Sequence, residues 1–338
     1  MTDPGLVEDI RRAVLRFGLG ALVDEPVPQK EAWSNEVLRV ATESGTYAVK
    51  LFAPDLDPDR LAALYTSIEV EEAVLRTGEV PMPAHVAEPS TGRWLVEIAP
   101  SSAGPARLAR AHEWVEGDPC TDIEPSELIA RDVGRSLGVV HALHLPGGDT
   151  SALRPVDLDR WNRAVAGAAR ARTPWAQELT ACSALVEELA LRVELLRAER
   201  RPMRSSHHDL DPKNAVVRPD GRVAITDWDG AGPILPDVEL VVAATSFAGV
   251  SPQVDEGLVG VFVDAYRKAG GDAGAPDATA LAAECADVDW LLRNVEGCLR
   301  ETPGVDDELR QRLAPALVGS FAAQVAAMER WARLVADL

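Results

Sequence analysis

Residues 207–232 read HHDLDPKNAVVRPDGRVAITDWDGAG. Two β-type runs, NAVV and RVAIT, flank Arg218-Pro219-Asp220-Gly221, a turn signal, so the stretch is expected to form a hairpin. Asp209 and Asn214 precede its first strand, and Asp227 follows its second. Antiparallel pairing brings those two ends together, so two carboxylates and a carboxamide converge. Two like unit charges about 4 Å apart repel by roughly 4 kcal/mol at an effective dielectric near 20. A bound cation removes that repulsion. An oxygen-only donor set suits Mg²⁺, which usually holds substrate phosphates as well when it has few protein ligands.

Working outward, EVLRVATESGTYAVKLF (36–52) carries a second hairpin signal around Glu43-Ser44-Gly45-Thr46. Side chains alternate along a strand, so Ala48, Lys50 and Phe52 share one face and Tyr47, Val49 and Leu51 the other. Lys50 interrupts a largely apolar strand, and a lysine there must snorkel out or meet an anion. Helical spacing is expected over 4–18, 59–78 (ending at Gly78), 126–144, 156–171, 175–200 and most of 237–338. Strands are expected at 93–99 and near 110–115. Residues 285–301 form a two-faced helix in this reading. Val288, Leu291 and Val295 face the core, and Asp287, Trp290, Asn294 and Glu301 share the other side.

The totals narrow the class. The chain has 338 residues and suggests about two domains. A net charge of −20 repels nucleic acid and anionic membranes and attracts cations; by itself it reads first as a solvated acidic surface, and a polycationic substrate would also fit it. Only four of its 34 basic residues are lysines: Lys30, Lys50, Lys213 and Lys268. Cys120, Cys182, Cys285 and Cys298 form no C-x-x-C pair and read as reduced thiols in a cytoplasm. The first residues show no secretory pattern, and no run reaches the ~18–20 apolar residues of a membrane span. Six histidines without a second cluster argue against a metal hydrolase. The absence of G-x-x-x-x-G-K-[ST] argues against a P-loop kinase.

His207-x-Asp209-x-x-x-x-Asn214 followed by Ile225-Thr226-Asp227-Trp228-Asp229 resembles the catalytic and metal motifs of aminoglycoside phosphotransferases and their protein-kinase relatives. Trp33-Ser34-Asn35 and Ala48-Val49-Lys50 are similar to that family's nucleotide-binding hairpin. Glu71 before Pro81-Met82-Pro83 is similar to its C-helix region, HEWVEG (112–117) to its hinge, Leu137–His141 to its Leu–His helix, and Pro236–Leu240 to its segment after the metal site. Three positions depart from the common pattern: His208 where many members have Gly, Asp211 where many have His, and Lys213 before the Asn.

The resemblance implies an α+β, protein kinase-like two-lobed fold. Residues 1–112 would form a small antiparallel five-stranded lobe with one main helix. Residues 113–117 would be the hinge, and residues 118–338 a larger, mainly helical lobe, with ATP or GTP between the two. Asp209 would accept or orient the acceptor's proton, and Asn214 and Asp227 would hold Mg²⁺. Lys50 would contact the α- and β-phosphates and pair with a helix carboxylate, Glu71 or else Glu69 or Glu72. Ser34 and Asn35 would lie over the phosphates, Ala48 would pack the adenine, Glu113 and Val115 would line the hinge, and Lys213 would reach toward the γ-phosphate. Asp229, Asp287, Trp290 and Asn294 would wall the acceptor site and hold ammonium groups.

The implied activity is γ-phosphoryl transfer to a hydroxyl of a cationic small molecule, an aminoglycoside or an amino sugar or amino alcohol of metabolism, by a monomer or dimer. A non-catalytic nucleotide-binding regulator of the same fold is the other class. Intact Lys50, Asp209, Asn214 and Asp227 argue against it.

Overall fold

The structure, a computed structural model, describes residues 4–29, 35–54, 56–99, 106–250, 253–285, 288–300 and 307–338. In chain order, helix α1 (Pro4–Arg16) precedes strands β1 (Val27–Pro28), β2 (Glu36–Thr42) and β3 (Gly45–Leu51) and helix α2 (Pro58–Thr77). Strands β4 (Val96–Ile98), β5 (Arg107–Glu113) and β6 (Asp118–Pro119) follow, then helix α3 (Glu127–Ala142) and strand β7 (Pro146–Asp149). Helices α4 (Leu158–Ala171), α5 (Ala176–Ala181) and α6 (Ser183–Glu199) lead to strand β8 (Pro202–Ser206) and the hairpin β9 (Ala215–Val217) and β10 (Val223–Ile225). The chain continues through α7 (Pro236–Ser246), α8 (Glu256–Lys268), α9 (Ala278–Cys285), α10 (Val288–Cys298) and α11 (Asp307–Asp337). These elements group into two compact units, Met1–Glu124 with Asp211–Gly232, and Pro125–Leu210 with Pro233–Leu338.

The first unit holds a five-stranded antiparallel sheet, order β1-β2-β3-β5-β4, as expected. Alternation along its strands gives it two unlike faces. Leu38, Val40, Val49, Leu51, Val96, Ile98, Ala109 and Ala111 pack on Ile10, Ala13 and Val14 of α1 and on Phe17 just after it. Burying each Leu, Ile, Val or Phe contributes roughly 1.5–3 kcal/mol. Toward α2, a smaller apolar cluster of Phe52, Leu64 and Leu95 takes in Leu61, Ile68 and Leu108. Helix α2 begins where Asp57 accepts the Arg60 N–H at 2.8 Å with Pro58 in its first turn. It ends at Gly78, whose φ of 65° suits a left-handed cap.

The expected boundary at 113–117 assigns the β9–β10 hairpin to the second lobe. In the structure its partners lie in the first unit: Asp118 and Pro119 pair with Val217 and Val216, and Ile225 N–H donates to Pro81 O at 2.8 Å. Gly117 permits that pairing. At its φ of 148° an added Cβ would sit 2.2 Å from Val217 O.

The second unit is mainly helical. Trp161, Trp175, Leu179, Val186, Leu189, Leu291, Val295, Val318 and Phe321 belong to one of its core clusters. Helix α3 crosses α8 at close range, because an added Cβ at Gly134 would meet Phe262 O at 2.4 Å.

Several expected elements shift. The 175–200 helix divides at Cys182, whose ψ of −9° departs from the helical value near −42°. Strand β5 begins three residues earlier than expected, and the 93–99 strand shrinks to Val96–Ile98. Strand β8 carries no apolar alternation, because two of its three buried positions, Ser205 and Ser206, are serines beside Met203; the Ser205 hydroxyl donates to Pro146 O at 2.9 Å. Cys120, Cys182 and Cys298 are free thiols, and burial pushes Cys120 up to about 11. Among the described residues no helix is long and apolar enough to cross a membrane.

Candidate active site

The sheet face that carries Ala48 and Lys50 also carries Arg110 and His112, because Lys50 stands opposite Arg110 and Ala48 opposite His112 across β3 and β5. All the groups that meet there belong to the first unit. Lys50 Nζ donates to Asp227 Oδ1 at 2.7 Å and to Asp229 Oδ2 at 2.5 Å. Arg110 Nη1 donates to Asp229 Oδ1 at 2.5 Å, and its Nη2 pairs with Glu71 Oε2. His112 Nε2 lies 2.7 Å from Glu71 Oε1. Asp227, Lys50, Asp229, Arg110, Glu71 and His112 thus form one continuous chain of charge-assisted contacts.

Two expectations are corrected here. Glu71 does not pair with Lys50: Arg110 and His112, extending from the neighbouring strand, occupy both its oxygens. Asp229 is not open to a substrate's ammonium group, since Lys50 and Arg110 take one carboxylate oxygen each.

Burial alone would lower the Lys50 pKa, yet the carboxylates of Asp229 and Asp227 outweigh it and hold the ammonium above its ordinary value. For Asp229, burial would raise the pKa, but Lys50 and Arg110 hold it well below the usual carboxylate range. Glu71 also lies low: burial opposes the shift, and its bonds to His112 and Arg110 overcome it.

The sign of the linkage follows. A carboxylate with a depressed folded pKa stabilises the fold above its unfolded value of about 4, and that stability is lost as pH falls through the folded value. The raised Lys50 contributes at every pH below about 10.4, its unfolded value. Burial holds His85 neutral down to about pH 4, so protonation of the unfolded chain already costs stability below about pH 6.5, and urea midpoints are expected to fall from there and more steeply below about pH 5, where the carboxylates add to the loss. The fall should be shallower in Asp229→Asn. Equal acid slopes for the variant and the parent chain would remove Asp229 from this role.

The hairpin supplies the oxygen donors. Ile225 pairs with Ala215, and one step outward Thr226 N–H donates to Asn214 O at 2.8 Å, so Asn214 and Asp227 leave the ribbon at the same end. Asn214 is buried. Asp227 is half exposed and adopts a left-handed φ of 56°, a conformation that Asp tolerates better than most residues. Lys213 is exposed, its N–H on Asp211 Oδ1 at 3.1 Å. Asn35 is half-buried, and its Oδ1 has no hydrogen-bond partner among the described residues. Ser34 and Asp287 lie outside the described residues. Glu113 is exposed and Val115 half-buried at the end of β5. Trp114 N–H between them donates to Thr46 O at 2.9 Å.

Asp209 belongs to the second unit, where it is exposed. Its loop is braced from behind. Glu239 Oε1 of α7 accepts the N–H of His208, a residue at φ 67°, at 2.6 Å, and Glu239 Oε2 lies 2.7 Å from His141 Nε2. The other ring nitrogen of His141 lies 2.8 Å from the Tyr266 hydroxyl. Burial would raise the Glu239 pKa, but its bond to His141 holds it low. In the sequence, His141 and Glu239 lie within family-like segments with no signal that singles out either residue.

The expected acceptor wall on α10 is less open than its spacing suggests. Asn294 is buried, and its Nδ2 donates to Trp290 O at 2.9 Å. Trp290 is half-buried. The acids Asp289 and Glu296 pair with Arg160, Glu296 Oε1 at 2.7 Å.

For a divalent cation, the donors at the hairpin end are the Asn214 carboxamide and the Asp227 carboxylate. Among the described residues no group of three or more His, Cys, Asp or Glu could hold a metal. A two-oxygen set fits a hard cation whose remaining ligands are phosphates and water, and does not fit a closed structural site.

The model of the phosphotransferase enzyme family (APH) matches residues 27–281. No curated protein matches. Among solved structures, spectinomycin phosphotransferase in complex with ADP and spectinomycin is 15% identical, covers 100% of this chain and 99% of its own, and superposes with a TM-score of 0.59. Amicoumacin kinase in complex with AMP-PNP, Ca²⁺ and Ami is 17% identical, with 99% and 94% covered and a TM-score of 0.56. A microcompartment-associated aminopropanol kinase is 18% identical, with 97% and 98% covered and a TM-score of 0.55. These likenesses establish a protein kinase-like fold, and the family match spans well over half of the 338 residues; the chain belongs to the phosphotransferase enzyme family and is a kinase of small molecules.

Proposed function

We propose that this enzyme uses Mg²⁺ with ATP or GTP and moves the γ-phosphoryl group to a hydroxyl of a cationic small molecule, an aminoglycoside or a related amino sugar or amino alcohol. The observation that carries the reading is the Lys50 ammonium lying 2.7 Å from Asp227, at the hairpin end that also bears Asn214. An ammonium, a carboxylate and a carboxamide suit a phosphate chain with its counter-ion, and phosphoryl transfer depends mainly on positioning and charge stabilisation.

In this reading Lys50 binds the α- and β-phosphates, and Asn214 and Asp227 would hold the magnesium ion. When bound, that ion neutralises charge on the phosphates. Asp209, five residues before Asn214, orients the acceptor hydroxyl and takes its proton. Ser34 and Asn35 cover the phosphates, Ala48 lies under the base, Glu113 and Val115 meet it through backbone groups, and Lys213 reaches the γ-phosphate. Trp290 and Asp287 remain candidates for the acceptor wall.

Two observations favour a cationic acceptor. The net charge of −20 draws cations toward the surface. The superposable enzymes include kinases of spectinomycin and of aminopropanol. A panel of aminoglycosides, amino sugars and amino alcohols scored for ADP release tests the reading. Release above the no-acceptor background is expected with at least one cationic acceptor and not with neutral polyols. Nucleotide binding without acceptor-dependent release across the whole panel would reject the acceptor class.

A further inference from the structure

Lys50 and Arg110 face each other from adjacent strands on one side of the sheet. Like charges placed directly opposite destabilise a strand pair. Asp229 lies between the two and gives one oxygen to each. The contacts are graded by depth. At the inner end, the Arg110 and Glu71 side chains are each 1% exposed. At the outer end, the Asp227 side chain is 46% exposed.

This gradient separates two tasks that one lysine would otherwise have to share. The carboxylate of α2 is satisfied by a guanidinium, whose rigid fork can engage two carboxylates at once and which does not give up its proton. Lys50 holds only the aspartates that follow β10. An anion reaching the exposed end can therefore take up the Lys50 ammonium without breaking the link between α2 and the sheet.

We propose that Arg110 is a positioning residue: it is the standing partner of Glu71 and Asp229, and by occupying them it leaves Lys50 available to phosphate. The proposal rests on the nucleotide reading of Lys50 given above. It differs from the expectation that Lys50 itself joins α2 through Glu71. Without Arg110, the buried Glu71 carboxylate keeps only its bond to His112, and Lys50, which shares Asp229 with Arg110, is the next cation along the chain of contacts. Lys50 is then drawn inward and competes poorly for nucleotide.

The test compares the full chain with R110M, R110K and the double variant R110M/E71Q. Nucleotide affinity is measured by calorimetry, and KM for ATP is separated from kcat. R110M is expected to weaken nucleotide binding and raise KM by about tenfold or more, within the usual range of a coupling between neighbouring sites, while kcat at saturation changes much less. R110K keeps the charge and should lose less. Adding E71Q to R110M removes the competing carboxylate and should restore most of the affinity, a rescue that a purely structural role of Arg110 does not produce.

A folded R110M that binds nucleotide like the parent overturns the proposal, as does a double variant as weak as R110M. If R110M cannot be purified folded, E71Q alone decides. A loss of affinity greater than about tenfold would mean that Lys50 depends on Glu71, against the proposal; a smaller loss supports it. A parent chain that binds no nucleotide would overturn the functional reading itself, an outcome distinct from both.

Discussion

Replacing Asp209 by alanine is expected to lower turnover by roughly 10²–10⁴-fold, the range for losing a positioned base, while nucleotide affinity stays within a few-fold of the parent. The exposed Asp209 carboxylate sits in a loop whose backbone is held by Glu239 at His208 N, so the loss would be chemical, not architectural. Steady-state kinetics with the best acceptor from the panel, together with nucleotide calorimetry, measures both quantities. Turnover of the variant within tenfold of the parent would remove Asp209 from the role of proton acceptor. The urea midpoint should move little, because an exposed loop carboxylate contributes little to stability.

Replacing Asp227 by alanine is expected to reduce affinity for nucleotide in the presence of Mg²⁺ by about 100-fold or more, and with it the activity. Second-sphere losses at metal sites already cost about 10–100-fold, and Asp227 would be a direct ligand. The same change removes one of the two aspartates that hold Lys50. Asp229 remains at 2.5 Å from Nζ, so the ammonium stays in place and the fold is expected to survive. Calorimetry with and without Mg²⁺ separates the two contributions. The variant should lose the dependence on Mg²⁺ and retain the weak affinity for nucleotide alone. An unchanged affinity in the presence of Mg²⁺ would contradict the metal assignment.

Much of the chemistry was legible because it depends on short-range rules. The period of two along β3 placed Lys50 and Ala48 together on the face opposite Val49 and Leu51. The Pro-Asp-Gly turn closed the hairpin so that Asn214 and Thr226 pair at its mouth, with Asp227 following. The same alternation could have flagged Arg110 and His112, two polar residues spaced by two in a strand whose other face carries Ala109 and Ala111. Their partners are not legible locally, because Glu71 lies 39 and 41 residues from them and Asp229 lies 119 residues from Arg110 in the sequence.

What was misread depended on long-range packing. Glu71 stands out from Glu69 and Glu72 only by resemblance, and its partner is not legible at all, because both are set by the rotation of α2 against the sheet. That rotation brings Glu71 to Arg110 and leaves Glu72 on the surface, paired with Arg76. Asn294 has the spacing of an exposed wall residue, yet the helices packed around α10 bury it.

The sequence by itself determined the fold class, the catalytic-loop pattern and the convergence of Asn214 with Asp227. Strand alternation and hairpin closure are decided within a dozen or so neighbouring residues. Only the tertiary structure decided which carboxylate meets which cation. Lys50, Glu71, Arg110 and Asp229 come from four separate elements, and their pairing depends on the depth and angle at which α2 and the segment after β10 settle on the sheet. The apolar contacts of Phe52, Leu64 and Leu95 help set that geometry, and the charged residues then take the partners that packing leaves within reach.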